Sequence, residues 1–471
     1  MSGQGALIAL LLASGGAPRW VFTGDVMLAR GVGREIALRG GASPWLKMRK
    51  FFAGADLVMG NLEGSVGEPE DCLGEPCFAV QVDALRFPKA AGFTALGLEN
   101  NHIADLGPDG PRRTREALVQ ARISPITFQG SPTFFKSQGH VLSLIAVSNV
   151  KGKDGRRTEV PSDALRQKLR LARSLSDWVV VSIHWGAELA DWPQPKQREM
   201  AKWLIAQGAD LIIGHHPHVV EPPECVDGRP VFFSLGNHVF DQKYPETKQG
   251  LIAECTVEED QLTCAGVATT TGPRTSFPEV QAAERKPVGE CRVPKPHPLV
   301  IGGYTVRPKV AEGRLAGGAI VLEGTKEGAG SWTAPAPGLL SIAAARLGNP
   351  EELLLSLEAH HSSIDREIGP RPYVYAVGPR GPVAKWRGSA LAWPLIDAEL
   401  LHATSEDLLC ALHRGDSFIK LNPATTETRT AVYRWNGFGF SGVEDAALND
   451  QCRRAFTGGQ STDSASAGAG H

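Results

Sequence analysis

Trp20-Val21-Phe22-Thr23 is a short apolar and β-branched run that breaks into Gly24-Asp25. It reads as a strand with an acidic residue just past its end. The pattern recurs. Leu57–Met59 leads into Gly60-Asn61, and Phe93–Leu98 into Glu99-Asn100-Asn101-His102. Trp178–Ile183 leads into His184, Leu211–Ile213 into Gly214-His215-His216, and Val231–Leu235 into Gly236-Asn237-His238. Val141–Val147 is a further strand. Helices are expected between them. Arg112–Arg122 carries Ala117, Leu118 and Ala121, while Lys196–Gln207 carries Met200, Trp203, Leu204 and Gln207 at helical spacing before Gly208 stops it. Strand–helix alternation predicts an α/β fold. The polar residues fall at the C-terminal ends of the strands, the edge where α/β sheets bind ligands.

The chain has 471 residues, enough for two or three domains at about 150 residues each. With 42% hydrophobic and 21% charged residues it is globular in composition, not a disordered chain. A net charge of −2 gives no global attraction for nucleic acid, so an acidic partner would need a local cationic site. After about residue 270 the texture changes. Residues 271–298, rich in proline and charge, are expected to form a linker or extended loop, and 299–456 a smaller β-rich domain. Its expected strands are Leu299–Val306, Gly318–Leu322, Tyr373–Val377, Leu408–His413, Ser417–Leu421 and Thr430–Trp435, with a helix over Glu351–Glu367. The Gly/Ser/Ala-rich residues 457–471 read as a disordered tail. At the other end, Ala6–Leu12 is apolar and followed by small residues, so 1–17 resembles a truncated secretory signal without a basic start.

The eight cysteines form no Cys-x-x-Cys pair, which argues against a zinc ribbon or redox motif. Cys72 and Cys77 flank a short turn, and Cys255 and Cys264 flank an acidic turn in an expected hairpin. Both pairs are expected as disulfides in an oxidising compartment. Together with the signal-like start this predicts an exported protein, periplasmic, cell-surface or secreted.

The strand-end residues Asp25, Asn61, Glu63, Asn101, His102, His184, His216 and His218 mix carboxylates, carboxamides and imidazoles. Such a set suits Zn²⁺, Mn²⁺ or Fe. His216-Pro217-His218 in extended backbone would turn both imidazoles to one side. No Gly-x-Ser-x-Gly elbow or nucleotide-binding glycine fingerprint is present.

Six ordered motifs resemble the CapA-type capsule and poly-γ-glutamate synthesis proteins. They are Val21-Phe22-Thr23-Gly24-Asp25-Val26-Met27-Leu28, Gly60-Asn61-Leu62-Glu63 and Asn100-Asn101-His102-Ile103-Ala104-Asp105-Leu106-Gly107. The others are Ile183-His184-Trp185-Gly186-Ala187-Glu188, Gly208-Ala209-Asp210 through Gly214-His215-His216-Pro217-His218, and Ser234-Leu235-Gly236-Asn237. The resemblance covers about residues 20–245 and is similar, at one remove, to the calcineurin-like metallophosphoesterases. It implies a four-layer α/β/β/α sandwich over 18–270, of the metallo-dependent phosphatase type. It further implies one or two divalent metal ions held by Asp25, Glu63, Asn101, His184, His216 and His218, with His102 as general acid. Asn61, Trp185, Glu188 and Asn237 are expected to line the substrate pocket, although Trp185 equally suits packing and Glu188 a surface position. His215 is set aside because the family pattern has a variable small residue there.

The implied function is metal-dependent hydrolysis in the metabolism of capsule or another extracellular anionic polymer. The bond would be a phosphoester or a γ-glutamyl amide, and a membrane-bound synthase complex is an expected partner. The rival is a non-catalytic, polymer-binding accessory subunit. Three positions depart from the phosphoesterase pattern. Met27 stands where an imidazole is usual, Asn61 where a bridging carboxylate is usual, and His238 where an aromatic is usual. His238 is either an extra donor near the site or an ordinary loop residue. Arg30 and Arg34 follow Asp25 closely and are either contacts for an anionic substrate or part of a solvated helix face.

Overall fold

The computed structural model describes residues 9–10, 17–272, 275–281, 284–310, 320–348, 352–361, 368–388, 391, 393–415 and 427–457. The chain divides into two compact units. One holds the chain up to Leu165 together with Ser176–Pro296; the other holds Arg166–Leu175 together with the chain from His297 onward.

The first unit is built on β1 (Arg19–Val26), α1 (Arg30–Leu38), β2 (Leu57–Leu62), α2 (Arg86–Ala91), β3 (Ala95–Gly97), α3 (Gly110–Gln120) and β4 (Ser124–Ile126). There follow β5 (Thr133–Ser137), β6 (His140–Ser148), β7 (Trp178–His184), α4 (Pro195–Ala206), β8 (Leu211–His215), β9 (Glu224–Val226), β10 (Arg229–Phe232), β11 (Asn237–Val239), β12 (Gln249–Glu258) and β13 (Gln261–Thr270). One sheet runs β13-β12-β1-β2-β3-β4, with β11 pairing the end of β1. The other runs β5-β6-β7-β8-β10-β9. Within them β1 to β4, and β6, β7, β8 and β10, are parallel.

One apolar cluster joins the two sheets. Trp20, Phe22, Leu57 and Met59 from the first meet Leu142, Leu144, Trp178, Val180 and Phe232 from the second. The next residues along β1 and β2, Val21 and Val58, face the other way. They pack with Val32 and Ile36 of α1, Phe87 of α2, and Ala117 and Leu118 of α3. The strands are therefore apolar on both faces, which is why they read as continuous runs. All but the ends of α4 are as the spacing predicts. Gln194 and Gln197 form a capping box at its start, and Gly208, at φ +107°, follows its end.

Several details go beyond or against the sequence reading. Residues 271–298 contribute three two-residue strands, Glu279–Val280, Lys286–Pro287 and Val293–Pro294, each paired to β13. Ala9–Leu10 pairs with Phe135 and Lys136, while residues 1–8 and 11–16 of the signal-like segment lie outside the described residues. All eight cysteines are paired. Cys72–Cys77 and Cys255–Cys264 are as expected, and Cys225–Cys291 and Cys410–Cys452 are additional.

The second unit contains three successive four-stranded antiparallel sheets. Their strands are Leu299–Ile301, Tyr304–Val310, Ile320–Lys326 and Gly330–Pro335; then Leu339–Ala345, Leu353–His361, Ile368–Gly378 and Gly381–Arg387; then Leu395–His402, Asp407–Arg414, Thr428–Trp435 and Phe440–Val443. The helix expected over Glu351–Glu367 is absent from its described part, which is the strand Leu353–His361. Both faces of this strand are covered. Leu354 packs on the first of these sheets, while Leu355 and Leu357 pack on the third. A strand buried on both sides loses the alternation that would mark it, so its leucine run imitates a helix. The expected strand Leu299–Val306 is a hairpin turning at Gly302-Gly303. Ser417–Leu421 and residues 458–471 lie outside the described residues. The closing helix, Ala446–Thr457, packs Cys452 and Phe456 against Leu408 and Cys410 of the third sheet and is tied there by Cys410–Cys452. No helix among the described residues is long and apolar enough to cross a membrane.

Candidate metal centre

The C-terminal ends of β1, β2, β3, β7 and β8 converge. Two close backbone approaches bring them together. A Cβ on Gly24 would lie 1.9 Å from the Gly236 carbonyl oxygen, and one on Gly214 would lie 1.8 Å from that of Phe233. Only glycine allows β1 and β8 to meet the chain around β11 at these points. Asp25 then sits beside Asn237, its backbone N–H donating to Gly236 O at 3.0 Å.

At the centre, oxygens of Asp25 and Glu63 and a ring nitrogen of His218 all lie within 4.8 Å of one another. Glu188, His216 and His218 form a second such group, so His218 is common to both. Asp25, Glu63, His184, His216 and His218 are buried, and Glu188 is exposed. Polar neighbours hold them in place. Asn61 Nδ2 donates to Asp25 Oδ1 at 2.9 Å, and Asn100 Nδ2 donates to Asn61 Oδ1 at 3.1 Å. Asn101 Oδ1 lies 2.8 Å from His184 Nε2, and Asn237 Oδ1 lies 3.0 Å from His218 Nδ1.

His216 and His218 do not have the extended backbone the sequence suggested. Their φ angles are +98° and +61°. Such conformations cost roughly 1–3 kcal/mol each and persist where surrounding contacts impose them. Here Asp25 Oδ2 accepts the His216 N–H at 3.3 Å, and Pro217 O accepts the Leu189 N–H at 2.8 Å.

Electrostatics follow from burial among like and unlike charges. Burial alone would raise the Asp25 carboxyl, yet His215 and His218 hold it well below the usual carboxylate range. Burial pushes Glu63 up to about 8, against the pull of His218. For His218 burial works downward, but Glu63 and Asp25 prevail and carry it up to about 9. Burial, with His216 nearby, keeps His184 well below its ordinary value; burial and His218 hold His216 at about 4. His184 and His216 are thus neutral imidazoles, the form that ligates metals.

Both carboxylate oxygens of Glu63 are buried and have no hydrogen-bond partner. The nearest imidazole nitrogens, on His218 and His102, stand 3.6 and 3.9 Å from Oε1. A carboxylate so placed fits a coordinated cation, since leaving it bare would cost several kcal/mol.

His102 stands beside Glu63 with a carboxylate behind it. Its Nδ1 lies 2.8 Å from Asp105 Oδ2, its ring stacks on Phe78 at 3.8 Å between centroids, and its Nε2 faces Glu63. Asp105 also accepts the Phe78 N–H at 2.8 Å, and Lys153 Nζ lies 3.3 Å from its other oxygen. Asp105 and Asn100 were not singled out from the sequence, although both lie inside the quoted Asn100–Gly107 run and Asp105 is three residues from His102.

Other expectations are redistributed. Trp185 is fully buried, donates Nε1–H to Phe233 O at 2.8 Å and stacks on Phe233, so it packs and does not line a pocket. His215, set aside earlier, has Nδ1 3.3 Å from Asp25 Oδ1. His238 is neither a donor to the cluster nor a loop residue. It lies on β11, buried among Trp45, Phe52 and Phe93, with neither ring nitrogen hydrogen-bonded. Met27 is buried, and its sulfur accepts the Ala29 N–H at 3.1 Å.

A family described as bacterial capsule synthesis protein PGA_cap matches residues 19–242, the stretch that contains every one of these side chains. Residues 19–242 belong to the CapA-type capsule synthesis family. The relatives of this chain include the PGA biosynthesis protein CapA of Bacillus subtilis, 30% identical over 250 residues, a match covering 50% of this chain and 66% of that protein. The capsule biosynthesis protein CapA of Bacillus anthracis is 29% identical over 263 residues, covering 49% and 62%. A probable polyglutamine synthesis accessory protein of Mycobacterium tuberculosis is 26% identical over 190 residues, covering 35% and 50%. The match spans a little under two thirds of the two CapA proteins. The family region lies in the unit carrying the candidate centre, apart from Arg166–Leu175, which belongs to the three-sheet unit.

Proposed function

We propose that this protein is an exported, metal-dependent hydrolase that acts on an anionic polymer during capsule synthesis. We further propose that its first unit is a four-layer α/β/β/α sandwich of the phosphoesterase type. The observation that carries the enzyme reading is the buried Glu63 carboxylate, with no hydrogen bond to either oxygen, facing Asp25 and His218. Asp25, Glu63 and His218, with Asn101, His184 and His216, would hold one or two divalent cations, and Glu188 would be a further ligand. Such a cation supplies Lewis acidity and lowers the pKa of bound water. The rest is the work of side chains. Asn61 and Asn237 orient Asp25 and His218. Asp105 takes the hydrogen of His102 Nδ1, which leaves Nε2 to receive or deliver a proton toward the leaving group. The four disulfides support export, because such bonds persist in oxidising compartments.

The second reading is a non-catalytic accessory subunit of a membrane-bound synthase complex. Met27 favours it, since the phosphoesterase pattern has an imidazole at this position of the first strand, and here a sulfur that accepts the Ala29 N–H stands instead. Metal analysis and turnover separate the two. Purified protein should carry Zn, Mn or Fe that is lost in Glu63→Gln. It should cleave an aryl phosphate or a γ-glutamyl oligomer, and His102→Asn should lose turnover while keeping the metal. Full capsule formation in a strain carrying His102→Asn would decide for the accessory subunit.

A further inference from the structure

A cavity of about 990 Å³ lies beside the candidate centre, lined by the segments that follow β1 and β11 and by the Cys72–Cys77 loop. It is at the large end of the ~300–1,000 Å³ typical of ligand sites. Two contacts lead from it to the centre. Gln242 on its wall accepts from Asn237 Nδ2 at 2.8 Å, and Asn237 in turn meets His218. Arg30 on the same wall lies 4.5 Å over the ring of Phe78, the ring on which His102 stacks.

The charges on this wall are of two kinds. Asp241 is committed to Arg30 and to the Gly31 N–H, and Glu75 accepts the Cys77 N–H. Arg34 and Lys243 are exposed and have no hydrogen-bond or ion-pair partner among the described residues. Ion pairing thus takes up Asp241 with Arg30, while Glu75 keeps its charge; with Arg34 and Lys243 the wall holds three cations against two carboxylates and is net positive. Tyr244, 61% exposed, adds an aromatic surface at the rim.

We propose that this cavity is a subsite for the carboxylates of an acidic chain, held by Arg34 and Lys243 next to the metal centre. The choice of a polycarboxylate rests on the proposed function; the cationic cavity itself does not. Two unpaired cations carried on separate segments, α1 and the chain after β11, suit a polymer with a charge on every unit better than a single compact anion, and such binding weakens as salt screens it.

The test is the binding of a labelled γ-linked glutamate decamer by fluorescence anisotropy to the full chain, to Arg34→Glu/Lys243→Glu and to Asp25→Ala/His218→Ala. The decamer should bind the wild type, more weakly at 0.5 M than at 0.05 M salt. The charge reversal should weaken binding at least tenfold with metal content and melting temperature unchanged. The metal-ligand variant should keep the affinity, so that failure of the hydrolase reading leaves the subsite standing. Wild-type affinity in the charge-reversed protein, loss of binding in the metal-ligand variant, or no binding to the wild type overturns the proposal. Tighter binding of inorganic polyphosphate than of the decamer overturns the carboxylate assignment.

Discussion

Asp105 and His238 show how differently two buried polar groups can be used. Asp105 meets His102 Nδ1 and so sets which nitrogen faces the centre. Asp105→Asn keeps the size but can present an N–H to the same ring and select the wrong tautomer. Turnover of the best substrate should fall by roughly 10²-fold or more, with metal content unchanged, because acid–base help is worth about 10²–10⁴. His238 lies among the rings of Trp45, Phe52 and Phe93, and burial holds its imidazole down to about 3. The unfolded chain takes up this proton near pH 6.5, while the folded chain stays neutral. Stability is therefore intact above about pH 6.5 and is lost as pH falls toward 3. The loss at pH 5 is about 2 kcal/mol from this group alone. Urea denaturation between pH 7 and 5 should show a shallower fall for His238→Leu than for the wild type. Legibility at this scale was uneven. The gathering of polar groups at the strand ends could be read, because apolar runs that stop at Asp, Asn and His mark one edge of the sheets. The fates of Trp185 and His238 could not, since burial among distant residues decides them.

Strand ends place the chemistry, and glycines place the strand ends. Asp25 reaches the centre because Gly24 lets β1 approach the Gly236 carbonyl. Gly24→Ala forces these backbones apart. It should cost roughly 3 kcal/mol, the upper part of the overpacking range, and should lower metal content together with stability. Denaturant unfolding and elemental analysis of one preparation check both. The elements of the first unit were legible because apolar runs stop at glycine and polar residues. The strand Leu353–His361 was not, because leucines packed on both of its faces erase the two-residue period. The hairpin at Gly302-Gly303 was missed for another reason, because apolar residues stand on both sides of the two glycines and read as one run.

Across the whole molecule the disulfides differ most in what they enclose. Cys225–Cys291 spans 66 residues and ties β9 to the segment after β13, while Cys72–Cys77 spans 5. Chain-entropy arguments give about 4 kcal/mol for the first loop and about 2 for the second. Cys225→Ala/Cys291→Ala should therefore lower unfolding stability about 2 kcal/mol more than Cys72→Ala/Cys77→Ala, measured by denaturant titration under non-reducing conditions. Cys410–Cys452 lies wholly in the second unit, where it fixes the closing helix to the third sheet.

The sequence alone determined the α/β character of the first unit, the edge on which its polar residues gather, and two of the four disulfides. These are local properties: apolar runs, glycine breaks and cysteines flanking a turn. It also carried the motifs that mark the family. Only the tertiary structure decided that Glu63 is left without a hydrogen bond, that Asp105 backs His102, and that Arg34 and Lys243 line a cavity in which Asp241 is already paired with Arg30. Each of these depends on the company a side chain keeps across the fold, and neighbours brought together from distant parts of the chain leave no periodic trace in the sequence.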